Sequence, residues 1–172
     1  MLNQFDKHYQ AHILYGGELI FNMAKIENQI TWIITAHFCS DENKRIDCAA
    51  LIAEIAFSFE TKKKTLASLL KKSYPSLLKK YPTLILSLTE LQEERNIFAH
   101  AELVYPKELM TTFDYKVDKL HFTKAKKFNA KKHAVPLIAK KVDTLNENKS
   151  KILGTSMALS DIYKYVLGEY QK

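Results

Sequence analysis

Residues 82–101 have the sequence PTLILSLTELQEERNIFAHA, and this stretch carries the strongest structural signal in the chain. One set of positions in it recurs at alternating steps of four and three residues, the period of an amphipathic helix. These positions are Leu84, Leu88, Leu91, Arg95 and Phe98. Pro82 suits the first turn of such a helix, because its missing N–H needs no intrahelical partner there. The stretch therefore predicts a helix over 82–101 whose apolar stripe is interrupted by one arginine.

Arg95 occupies a stripe position at which a leucine would be expected. A guanidinium in apolar surroundings is costly unless a carboxylate, a phosphate or another subunit meets it. Asn96 and His100 are four residues apart, so they share a helix face beside the stripe. An arginine keeps its charge, whereas a histidine titrates near neutral pH, and together they suit the handling of a phosphodiester. Arg95 and His100 are therefore candidate catalytic residues, with Asn96 and Glu94 in support.

A purely structural interpretation of the same residues stays open. Arg95 would then pair with a core carboxylate, for which Glu27 is the candidate, and His100 would only end its helix. A histidine in the last helical turn is stabilised by the helix dipole without any catalytic role. Glu27 interrupts an apolar stretch, so it either faces solvent or supports the motif from behind.

The remaining pattern predicts one mainly helical domain over residues 1–172. This length allows one well-buried domain and is short for two, and only four glycines and four prolines favour long helices. Besides 82–101, helices are expected over about 17–39, 46–57, 61–72, 130–149 and 150–168. Residues 1–16 are expected as an N-terminal arm or a short helix. The fold class is thus all-α, a helical bundle.

The hydrophobic period changes after His100. An apolar run at 103–105 is followed by alternating apolar and polar residues at 113–117 and 120–122, which is typical of strands. Asp118-Lys119 is a candidate turn between the last two of these segments. We therefore expect a small β-hairpin of two or three strands, inserted at 102–128 before the C-terminal helices.

The charge of the chain suits a polyanionic partner. Its 26 basic and 19 acidic residues give a net charge of +7, with an isoelectric point of about 9.2. Such an excess favours nucleic acid, although lysine-rich surfaces also serve for solvation. A dense basic run is either a solvated face or an RNA-contacting strip. It consists of Lys124, Lys126, Lys127, Lys131 and Lys132.

The sequence predicts neither a metal nor a cofactor. Cys39 and Cys48 are too few for a disulfide framework, and His37 with Cys39 makes at most half a zinc site. The chain also lacks a secretory signal pattern and a run of about 20 apolar residues that could cross a bilayer. A cytoplasmic, reduced location without a membrane partner is expected.

The segment Arg95-Asn96-Ile97-Phe98-Ala99-His100 resembles the motif of the HEPN superfamily. These small helical-bundle domains carry an arginine followed four to six residues later by a histidine, often with asparagine directly after the arginine. The preceding leucine-periodic helix, the segment 57–63 and the small residue Ala101 match the family in character. The resemblance covers about 17–168, including a hairpin between the motif and the final helix.

This resemblance implies a metal-independent endoribonuclease of the toxin or phage-defence kind, or an RNA-binding relative of one. HEPN domains commonly pair so that two motifs form one composite site, which implies a homodimer. Arg95 would bind the phosphate, His100 would move the proton, and Asn96 would be an orienting or phosphate-contacting amide. Glu94 would orient a partner's arginine or histidine. HEPN toxins are frequently matched with a small nucleotidyltransferase-like antitoxin, so an antitoxin partner is also expected.

Two other functions stay open at this stage. One is a catalytically silent RNA- or nucleotide-binding HEPN module, and the other is a helical adaptor that uses the motif face only for dimerisation. The pattern equally allows Arg95 and His100 to act within one subunit or across two.

Overall fold

The computed structural model describes residues 4–54, 57–104, 119–124 and 137–169. Within these ranges the chain forms six helices and three strands. The helices are α1 (Gln4–Phe38), α2 (Glu42–Glu54), α3 (Phe59–Lys72), α4 (Pro75–Lys80), α5 (Leu84–His100) and α6 (Val142–Glu169). The strands are β1 (Ala101–Val104), β2 (Lys119–Lys124) and β3 (Leu137–Lys141). The expected helical bundle is confirmed.

Helix α1 is much longer than the predicted helix over 17–39. The predicted apolar positions are all buried: Leu19, Met23, Ile26, Ile30 and Ile33. The same face continues towards the N-terminus through His8, His12 and Gly16 at steps of four residues. Residues 4–16, expected as an arm, are therefore the first part of α1, because packing rather than apolar composition extends the helix.

The other helix starts follow local capping chemistry. Asp41 Oδ1 accepts the backbone N–H of Lys44 at 2.9 Å, so α2 begins at Glu42, four residues earlier than expected. Ser58 Oγ accepts the N–H of Thr61 at 3.2 Å and caps α3. Such caps satisfy backbone donors that the first helical turn leaves unpaired. Helix α5 ends at His100, so the motif occupies its last two turns.

The three strands form an antiparallel sheet in the order β1-β2-β3. Ala101 pairs with Lys124, and Phe122 pairs with Ile138. Strand β2 buries Leu120 and Phe122 completely, as their alternation predicted. Lys119, expected in a turn, is instead the first residue of β2. The strand expected at 113–117 lies outside the described residues.

The C-terminal region corrects two sequence predictions. Residues 137–141, expected in a helix over 130–149, form β3 and pair with β2. Cross-strand pairing with β2 satisfies the backbone hydrogen bonds of residues 137–141 in the extended conformation. The two helices expected over 130–149 and 150–168 are one continuous α6 from Val142. None of residues 146–150 is a glycine or proline that would break it.

The chain comprises two compact units. Unit 1 consists of residues 1–21 and 93–150, and unit 2 of residues 22–92 and 151–172, so α1, α5 and α6 contribute to both. The core of unit 1 includes Leu19, Phe98, Leu120 and Phe122. The core of unit 2 includes Ile26, Ile30, Ile33, Leu66, Leu70, Leu88, Leu91, Leu159 and Ile162.

Unit 2 buries two adjacent lysines of α3. Lys62 Nζ donates to Glu27 Oε1 of α1 at 2.8 Å. Lys63 is buried as well. Its ammonium lies 2.8–3.1 Å from oxygens of Glu60, Thr89 and Gln92. Both buried charges are thus compensated by hydrogen-bond acceptors, as buried ammonium groups require.

Candidate functional site

Helix α5 carries the predicted motif within unit 1. Arg95 is half-buried, whereas Asn96 and His100 are exposed. Arg95 Nη1 donates to Asn96 Oδ1 at 3.1 Å, so the amide holds the guanidinium on the helix surface. Among the residues that the structure describes, this is the hydrogen bond that engages the Arg95 side chain. Its remaining N–H groups are available to an anion.

Glu94, which directly precedes the motif, is the buried polar residue here, and it is only 7% exposed. The predicted stripe is buried at four positions, and Arg95 is the exception. Position 94 lies three residues after Leu91 and four before Phe98, so it is equally well placed on that face. A long arginine can also pack its stem while keeping its charge in water. Arg95, expected on the apolar stripe, is therefore only half-buried, and the hydrogen bond of its guanidinium to Asn96 lies at the surface.

Glu27 was a candidate either to neutralise Arg95 or to support the motif. Its carboxylate accepts the ammonium of Lys62 at 2.8 Å within unit 2. This pair explains why a carboxylate interrupts the apolar face of α1, because buried Lys62 needs an anionic partner. A supporting role of Glu27 at the motif stays a prediction.

Behind the motif lies an aromatic cluster of His12, Phe98 and Phe122. The Phe98 and Phe122 rings meet edge to face with centroids 4.9 Å apart. The His12 ring stacks on Phe98 at 5.7 Å and lies 5.5 Å from Phe122. Gly16 lets Phe98 approach α1 closely, since a Cβ there would lie 2.9 Å from Phe98 Cδ1. The cluster therefore holds the last turns of α5, and with them the motif.

Sequence reasoning missed His12. Burial lowers the pKa of His12 from its ordinary value, because desolvation disfavours the charged imidazolium. Its Nδ1 is buried and makes no hydrogen bond to any residue in the described ranges. The available signal was its four-residue spacing from His8 and Gly16, which extends the buried face of α1.

The predicted basic run is only partly within the described chain. Lys124 is the last residue of β2, opposite Ala101 of β1. Lys126, Lys127, Lys131 and Lys132 lie outside the described residues. Exposed lysines that sequence reasoning did not single out end α3 and α4 in unit 2: Lys71, Lys72, Lys79 and Lys80.

The described ranges contain neither a metal site nor a membrane span. No three histidine, cysteine, aspartate or glutamate side chains there come together as metal ligands. None of the helices described combines the length and apolar content of a membrane span. Cys39 and Cys48 are free thiols.

Comparison of the chain with protein-family models, curated proteins and solved structures found no match. A guanidinium held by an amide can bind a phosphate through two parallel hydrogen bonds. An exposed imidazole in the same two helical turns can accept or donate a proton.

Proposed function

We propose that this protein is a metal-independent endoribonuclease of the toxin or phage-defence kind, as its resemblance to HEPN domains implies. The observation that carries the proposal is the arrangement of Arg95, Asn96 and His100. The Arg95 guanidinium donates a hydrogen bond to Asn96, and His100 is exposed in the same two turns of α5. An anion-binding group and a proton-transfer group thus lie within the same two turns of α5, and both have access to solvent.

In the proposed reaction, His100 accepts the proton of a ribose 2′-OH, and the resulting oxygen attacks the adjacent phosphorus. The bond between the phosphorus and the 5′-oxygen breaks, and the imidazolium of His100 donates a proton to that leaving oxygen. Arg95 binds the non-bridging phosphate oxygens and stabilises the charge that develops on them. The products are a 2′,3′-cyclic phosphate and a 5′-hydroxyl, and no metal takes part.

The helical geometry supports a site shared by two subunits. Arg95 and His100 are five residues apart, which separates them by about 140° around the axis of α5. One helix therefore directs the two side chains to different faces. A homodimer in which two motifs face each other would combine the arginine of one subunit with the histidine of the other.

An exposed apolar surface in unit 1 supports the dimer. Five large apolar side chains in the first part of α1 are 41–64% exposed. This α1 stripe consists of Tyr9, Ile13, Leu14, Ile20 and Phe21. Large contiguous patches of exposed apolar side chains commonly mark protein–protein interaction sites. Gly16 of the same helical segment contacts Phe98, so the stripe belongs to the unit that carries the motif.

RNA binding without cleavage is the second candidate function. It is favoured by the net charge of +7 and by the exposed lysines that end α3 and α4. Binding of this kind would weaken steeply with salt, because each neutralised phosphate releases counterions. A neutralising antitoxin stays the partner that the toxin interpretation predicts.

The decisive experiment measures cleavage of RNA by the purified protein in excess EDTA. We expect cleavage with cyclic-phosphate ends, reduced by about a hundredfold or more in His100→Ala and in Arg95→Ala. Glu93→Ala is the matched control, because Glu93 is exposed on the same helix outside the motif. Circular dichroism should show all three variants folded.

Mixing the two inactive variants tests the shared site. A heterodimer of Arg95→Ala and His100→Ala retains one site with both side chains intact if the site spans two subunits. Recovery of cleavage on mixing would support that arrangement, and no recovery would favour a site within one subunit. Intact RNA in every sample would contradict the nuclease proposal. Salt-sensitive RNA binding in those samples would then identify a binding module.

A further inference from the structure

Unit 2 contains a cavity of about 380 Å³ that shares no residue with the motif. Helices α1, α2 and α6 line it. Each helix contributes two polar or aromatic side chains: Gln29 and Trp32, Glu42 and Arg45, and Ser160 and Tyr163. This volume is near the lower end of the range for small-molecule sites, roughly 300–1,000 Å³. The cavity has room for one small ligand.

Aromatic rings form part of the cavity wall. Trp32 and Tyr163 are both half-buried and line the space from different helices. Aromatic faces of this kind bind planar rings through stacking and edge-to-face contacts. The apolar part of the lining therefore favours a planar ligand.

The polar lining contains two opposite charges that do not neutralise each other. Glu42 and Arg45 are three residues apart in the first turns of α2. Neither forms an ion pair with any residue in the described ranges. Arg45 is instead anchored by backbone carbonyls, with Nε donating to Cys39 at 3.1 Å and Nη2 to Ser40 at 3.0 Å. This anchoring holds the guanidinium in place and leaves Nη1 for a ligand.

We propose that this cavity binds a planar aromatic small molecule that carries both an anionic group and an N–H donor. Arg45 binds the carboxylate or phosphate of the ligand. Because its guanidinium is already held in place, binding costs little side-chain conformational entropy. Glu42 accepts the N–H donor, and Trp32 with Tyr163 contacts the ring. Aromatic amino acids and nucleoside monophosphates with amino-substituted bases share this chemistry.

Trp32 makes the proposal directly measurable, because it is the only tryptophan in the chain. The full chain is titrated with L-phenylalanine and, separately, with GMP, and its fluorescence is corrected for ligand absorbance. We expect a saturable change with at least one of these probes, and which one responds identifies the ligand source. Benzoate, which lacks the donor, and guanosine, which lacks the anion, should bind about tenfold more weakly than the corresponding probe.

Substitutions in α2 complete the test. Arg45→Gln should weaken the responding probe about tenfold or more, whereas Lys44→Gln, at an exposed neighbouring position, should not. Glu42→Gln preserves the backbone hydrogen bonds of Arg45, so it tests the cavity even if Arg45→Gln fails to fold. No saturable change with either probe would overturn the proposal. Equal affinity in the wild type and a folded Arg45→Gln or Glu42→Gln would also overturn it.

Discussion

His12 stacks against Phe98, one of the four residues between Arg95 and His100. Its imidazole is half-buried beside two phenyl rings, and desolvation lowers the pKa of His12. The neutral imidazole packs as an aromatic ring, whereas the imidazolium would lose its hydration in this cluster. We therefore expect His12 to couple the stability of unit 1 to pH.

The sign of this coupling follows from proton binding. In the unfolded chain, histidine takes up a proton near its ordinary pKa, whereas folded His12 does so only at lower pH. The unfolded state thus binds more protons as the pH falls through the ordinary histidine pKa, and the folded state loses stability. We expect the melting temperature to fall less between about pH 7.5 and about pH 5 in His12→Gln than in the wild type.

His100→Gln is the control for this measurement, because His100 is exposed and belongs to the same unit. Adding His12→Gln to this variant should reduce the fall in melting temperature by the same amount as in the wild type. Identical pH profiles in the wild type and His12→Gln would contradict the assigned role of His12.

At the scale of elements, α1 and the end of α5 approach each other closely at Gly16. A Cβ at this position would lie 2.9 Å from Phe98 Cδ1, nearer than real Cβ contacts occur. Phe98 has little freedom to move, because it packs against both Phe122 and His12. A Cβ added at Gly17 would instead meet open space.

The adjacent glycines provide a matched pair of substitutions. Gly16→Ala should lower the free energy of unfolding by about 1–2 kcal/mol, since overpacking outweighs the gain in helix propensity. Gly17→Ala should raise it by about 0.5–1 kcal/mol, because alanine favours the helix without a clash. Thermal denaturation of the two variants measures both effects. An equal stabilisation by both would show that the close approach to Phe98 does not exist.

At the scale of the whole molecule, the exposed α1 stripe predicts self-association. Ile13→Glu places a charge within the stripe and should shift the protein from dimer towards monomer, because burying that charge is costly. Light scattering coupled to size exclusion distinguishes the 19.9 kDa chain from a species of twice that mass. Gln10→Glu is the control, since Gln10 is an exposed polar residue of the same helix.

Cleavage activity should fall together with dimer mass in Ile13→Glu if the site spans two subunits. A wild-type protein that stays monomeric at all concentrations would contradict the dimer. Full cleavage by a monomeric variant would support the nuclease proposal, but it would indicate that Arg95 and His100 act within one subunit.

Much of the fold follows from local sequence pattern. The buried face of α1 from Leu19 to Ile33 repeats at helical spacing, and β2 buries the alternating Leu120 and Phe122. The helix that ends at His100 was predicted within two residues at each end. These features are set by neighbours along the chain, so a periodic pattern contains the necessary information.

Residues that depend on distant partners were predicted less well. Residues 137–141 are a strand because they pair with β2, not because their own pattern requires it. Lys63 is buried because acceptors on α5 meet its ammonium. The cavity lined by Arg45 was also missed, since it is assembled from three helices far apart in the chain.

The sequence by itself determined the helical character of the chain and its basic charge. It also determined that the segment Arg95–His100 lies at the end of a helix. Only the tertiary structure decided that Glu94 is buried and Arg95 reaches solvent, although both positions fit the same helical stripe. Periodicity specifies a face only to within one residue. The partners that pack against that face decide which side chain loses its water.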